Sequence, residues 1–141
     1  MFHHARTVDL TSLRYTRAYW RECDRLIKSL TNAELGVSTL IGRPDAIGES
    51  ARRCATPLRA VRQRSQSLRT VIATRRVVPD EMHRAADALA DAGAASAPAL
   101  AACSQALAGA GFAPEAARLG GWSRDARVLA AEARALRASV I

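Results

Sequence analysis

Between Cys54 and Ile72 the residues Cys54, Leu58, Val61, Ser65, Leu68 and Ile72 return in steps of 4-3-4-3-4. That spacing keeps one stripe on one side of an α-helix; a strand alternates its side chains every second residue instead. The same step recurs through Leu13, Thr16, Trp20, Cys23, Ile27 and Leu30, and again through Trp122, Ala126, Leu129, Ala133, Leu136 and Val140. A fourth, interrupted seam uses Met82, Ala86 and Leu89, then Leu100, Cys103 and Leu107. Seams with a near-3.5 repeat pack lengthwise, and short connections make neighbouring helices antiparallel. The expected fold class is therefore all-α: a small antiparallel helical bundle of about four main helices plus short helical turns, closed by itself, by a partner or by self-association. At 141 residues the chain is long enough for one domain. Residues 1–8 are read as a flexible N-terminus and 9–141 as the domain, with no strand expected.

Local signals place the boundaries. The first helix is expected from about Asp9 to Leu30. Thr31-Asn32-Ala33-Glu34 has the spacing of a capping box and opens a short second element, closed by Gly42 and Pro44. Asp45 is placed to cap a long helix from about Ala46 to Val77, with Pro57 expected to kink or delay it. A helix from about Asp80 to Ala92 is expected to break at Gly93 and Pro98. Pro114 begins a short turn ending at Gly120-Gly121, and Ser123 is read as the N-cap of the last helix.

Charge is distributed unevenly. Residues 1–78 carry 15 of the 21 Lys+Arg and 6 of the 13 Asp+Glu, so the net charge of +8 belongs to this half. The remaining residues are near-neutral and hold 23 of the 31 alanines. A GC-rich coding bias explains arginine over lysine, but not this asymmetry.

Two basic features follow. On the first helix Arg14, Arg17, Arg21, Arg25 and Lys28 recur at 3-4-4-3 and form one stripe, with Tyr15 and Tyr19 on a neighbouring strip. Such a stripe suits plain solvent, a protein contact of the kind that Tyr, Trp and Arg favour, or phosphates with stacked bases. On the third segment, Ala51 to Val78 holds eight arginines, among them Arg52, Arg59, Arg62 and Arg69, and no acid. Like charges on one helix repel, so acids of another chain, nucleic acid, an anionic surface or salt are expected to neutralise it.

Other chemistry is thin. Cys23, Cys54 and Cys103 each occupy a seam and are read as buried free thiols acting as small hydrophobes. His3, His4 and His83 lack further ligands at metal spacing, and Gly109-Ala110-Gly111 lacks the strand, third glycine and lysine of a phosphate loop. No Ser, His and acid cluster suggests a nucleophile with its base. No catalytic residue, cofactor or metal is expected. Ala92 to Pro114 is 23 residues without a charge, but it is mostly alanine, glycine and serine, which suits a packed helix better than a bilayer. With no secretory leader and an odd number of cysteines, a cytoplasmic chain is expected. The leading functional reading is a non-enzymatic bundle working through protein–protein contacts, as an adaptor, chaperone-like partner or assembly subunit, with another protein or its own copy. The alternative is a nucleic-acid-binding protein using the arginine-rich faces.

Overall fold

The computed structural model describes residues 6–10, 13–74 and 76–141. Four helices carry the fold: α1 (Arg14–Ser38), α2 (Ala46–Ala73), α3 (Pro79–Gly109) and α4 (Ala113–Ala138). Each packs on its chain neighbour, and α4 closes on α1, giving a four-membered ring. Cross-links show the antiparallel register. Asp24 and Glu34 of α1 meet Arg69 and Arg62 of α2, and Asp87 and Ala97 of α3 meet Arg137 and Ser123 of α4. Thr16 and Ser29 of α1 likewise meet Ser139 and Asp125 at the far and middle parts of α4's path. All four seams converge on one core, with Leu26, Leu30, Leu58, Leu68, Leu89, Leu100, Leu129 and Leu136 buried. The all-α bundle is thus the observed architecture.

A two-residue antiparallel pair, β1 (Val8–Asp9) with β2 (Arg76–Val77), corrects the expectation of no strand. It places Val8 opposite Val77, and Arg76 donates to the Thr7 hydroxyl at 3.4 Å. Residues 1–5, including His3 and His4, lie outside the described residues, as do Thr11, Ser12 and Arg75.

The expected breaks inside helices do not occur. α1 runs through Thr31–Glu34, because the Thr31 hydroxyl donates back to the Ile27 carbonyl at 3.0 Å instead of capping a new helix. α3 runs through Gly93 and Pro98. A Cβ on Gly93 would stand 3.0 Å from the Ala126 carbonyl oxygen, so the glycine is where two backbones approach, not where a helix stops. Pro98 is exposed. The carbonyl it leaves without a helical donor, that of Ala94, is on the solvent side. α4 begins at Ala113 and passes Gly120-Gly121 unbroken. Ser123 is no cap: its hydroxyl donates to the Ala97 carbonyl at 2.7 Å, tying α4 to α3. Tertiary packing of small faces sustains helices that local propensity would end. No described helix is long and apolar enough to cross a membrane.

Asp45 caps α2 as its sequence position suggests, accepting from the Gly48 N–H at 3.2 Å while Arg43 grips it at 2.7 Å. The Arg43 guanidinium, helped by the Gly48 N–H, holds its carboxyl down to about 2. A folded-state value below the unfolded one stabilises the fold above about pH 4. That contribution is lost as pH falls through about 2. Asp45→Ala is therefore expected to lower the melting temperature at pH 7, with the difference from wild type narrowing steadily as pH falls from about 4 toward 2, as thermal unfolding followed by circular dichroism will read.

Candidate docking site on the basic face

Helix α1 presents Arg14, Arg17, Arg21, Arg25 and Lys28 on its exposed side, as the spacing implies. The structure divides them. Arg25 is held by Glu22 at 2.5 Å and Lys28 by Asp24 at 3.1 Å. Arg14, Arg17 and Arg21 have no acidic partner among the described residues. The uncompensated charge is thus confined to the N-terminal half of the helix.

The acid-free run on α2 is partly answered from within the chain. Arg62 pairs with Glu34 at 3.0 Å and Arg69 with Asp24 at 2.8 Å, both acids coming from α1; Arg53 pairs with Glu49 at 2.7 Å. Arg52 donates to the Ile41 and Arg43 carbonyls, closing the exposed end of the α1–α2 connection. Arg59 and Arg64 remain exposed, with no ion pair among the described residues. Burial alone would raise the Asp24 carboxyl, but hydrogen bonds from Arg69 and Lys28 outweigh it and hold it below the usual range. Asp24 is therefore ionised and held between two cations.

Aromatic rings do not line the stripe as one strip. Tyr15 is 76% exposed, while Tyr19 is half-buried against the core. Helical spacing sets both on the flank of α1 that faces α4, and sets Trp20 with Asp24 on the flank facing α2. There Trp20 joins Leu10, Thr16 and Ile72 to form an apolar cleft of about 290 Å³ with Arg17 and Arg21 on its rim. The Thr16 hydroxyl in its floor is engaged by that of Ser139 at 2.7 Å. The chain alone gives no sign of this cleft: Trp20 and Ile72 sit near opposite ends of their seams, and only antiparallel packing brings them together with Leu10.

A second groove of about 380 Å³ lies between α3 and α4, with Ala94, Pro98 and Ala101 on one side and Arg127 and Arg134 on the other. The near-neutral charge of this half conceals those arginines in any composition-based reading. Apart from those arginines its walls offer only small side chains, so it lacks the apolar depth of the first.

The three thiols are buried, as expected of seam positions. Burial pushes Cys23 up to about 12. The neighbouring Cys103 thiol of α3, together with burial, pushes Cys54 of α2 up and keeps it a neutral thiol. Comparisons with protein-family models, with curated proteins and with solved structures returned no match.

Proposed function

We propose that this chain is a docking module, an adaptor or assembly subunit that works without chemistry of its own by holding an acidic segment of another protein. The observation that carries this reading is the adjacency of three uncompensated arginines, Arg14, Arg17 and Arg21, to an apolar cleft. Charge selects and steers the partner, while desolvated apolar contact supplies residence. A nucleic-acid strand is the weaker occupant. Glu22 and Asp24 interrupt the stripe after Arg21, and Arg62 and Arg69 are already engaged, so no long continuous track for phosphates remains.

The test is fluorescence polarisation with a labelled glutamate-rich peptide across a salt series. Wild type is expected to bind with an affinity that falls as salt rises. Reversing Arg14, Arg17 and Arg21 to glutamate is expected to weaken binding about a hundredfold, equivalent to roughly 2.7 kcal/mol. The same charge change at the exposed Arg84, Arg118 and Arg124 is expected to leave it within about threefold. Equal loss in both triple variants sinks the assignment to α1, and a clear preference for an oligonucleotide of matched charge returns the reading to nucleic acid.

A further inference from the structure

The cleft at the start of α1 specifies more than an acidic partner. Its floor is Leu10, Thr16, Trp20 and Ile72, and its volume of about 290 Å³ is of the order of one large side chain and at the lower limit of small-molecule pockets. Leu10 and Thr16 are buried while Trp20 and Ile72 are half-exposed, so the hollow opens to solvent along its α1–α2 edge. Arg17 and Arg21 stand one helical turn apart on its rim. Arg14 extends the same line by three residues, and Asp24, pinned by Arg69 and Lys28, ends it. A ligand lying here therefore meets unpaired positive charge on one side, apolar depth beneath, and cations that already hold partners at the far end.

We infer that the cleft is an anchor pocket for one large apolar side chain of a partner segment whose neighbouring residues are carboxylates. This rests on the docking function proposed above and names the feature of the partner that the site selects. The anchor enters between Trp20 and Ile72, and carboxylates within a turn of it reach Arg17 and Arg21. Beyond Arg21 the cations of the stripe already hold partners, Arg25 with Glu22 and Lys28 with Asp24, so the recognised unit is short. Complementary charge on the rim argues for this occupant over a neutral apolar one: the guanidinium groups remain hydrated until carboxylates meet them.

Two peptides test the inference without disturbing the protein: a short glutamate-rich peptide with one central tryptophan, and the same peptide with serine in its place. The tryptophan peptide is expected to bind at least about tenfold more tightly. That ratio is expected to survive in 1 M salt, where the screening length falls to about 3 Å and the charge-dependent part has collapsed. Ile72→Asp, which places a charge in the hollow, is expected to bring the two peptides to equal affinity, with circular dichroism establishing that the variant is folded. Should it unfold, Arg17→Gln with Arg21→Gln serves instead, lowering both affinities while keeping their ratio. Equal binding of the two peptides to wild type overturns the anchor pocket and leaves the acidic-partner reading standing. Failure of both peptides to bind at low salt overturns that reading as well, and tighter binding of a tryptophan peptide with no acids overturns the pairing of anchor with charge.

Discussion

Gly48→Ala is expected to lower the melting temperature by roughly 10 °C, corresponding to about 3 kcal/mol in a domain of this size. The residue lies in the first turn of α2, where a Cβ would stand 1.9 Å from the carbonyl oxygen of Arg43 and 2.7 Å from its carbonyl carbon. Both are backbone atoms, so no side-chain rotation relieves the overlap. The connection must move, and with it go the Asp45 cap, the Arg43–Asp45 pair and the Arg52 bonds to two carbonyls. Alanine's helix propensity returns about 1 kcal/mol, which is too little to offset that loss. Thermal unfolding followed by circular dichroism reads the difference, and a variant melting with wild type would show that the connection rearranges freely.

Gly93→Leu is expected to be as damaging for a different reason. Here the obstacle is α4: the Ala126 carbonyl oxygen at 3.0 Å and the Ala130 amide nitrogen at 3.3 Å from a Cβ position. A Cβ is already tight there, and the further carbons of leucine force the two helices apart along their alanine-lined contact. The expected cost is about 3 kcal/mol. Gly93→Ala is the informative control, because its gain of about 1 kcal/mol in helix propensity nearly balances the tight contact. Urea denaturation of both variants separates the two terms: alanine near neutral, leucine strongly destabilised. If leucine is tolerated, α3 and α4 do not approach as closely as the geometry requires.

The seams were legible in the chain because burial imposes the helical period on residues such as Leu58, Leu68, Leu129 and Leu136, all buried in the same core. The apparent breaks were not. Thr31, Gly93, Gly120 and Ser123 carry the chemistry of caps and stops, yet each sits within a helix whose neighbours compensate its local preference. Ser123 and Gly93 are there because α3 and α4 run close, a relation between residues far apart along the chain. The same limit applies to charge. A stripe of five cations is visible from spacing, but its division into paired and unpaired members depends on Glu22 and Asp24. The state of Arg62 and Arg69 depends on acids contributed by α1. Two residues of pairing at Val8–Asp9 and Arg76–Val77 are too short for any alternation to announce them.

The ring closes through α1, and that closure sets an order of assembly. The α3–α4 pair is joined by the short Ala110–Phe112 turn and shares the most extensive packing in the molecule, whereas α1 is the helix with the least. Its bonds to α4, Thr16 to Ser139 and Ser29 to Asp125, span 123 and 96 positions of chain. Contacts so distant bear the greatest loop-closure cost, so the α1–α4 closure is expected to follow the alanine hairpin. Thr16, in the floor of the cleft, meets the end of α4 only once the ring is complete. A ligand that clasped α1 would tie down the helix with the least packing, so occupancy and global stability are expected to rise together.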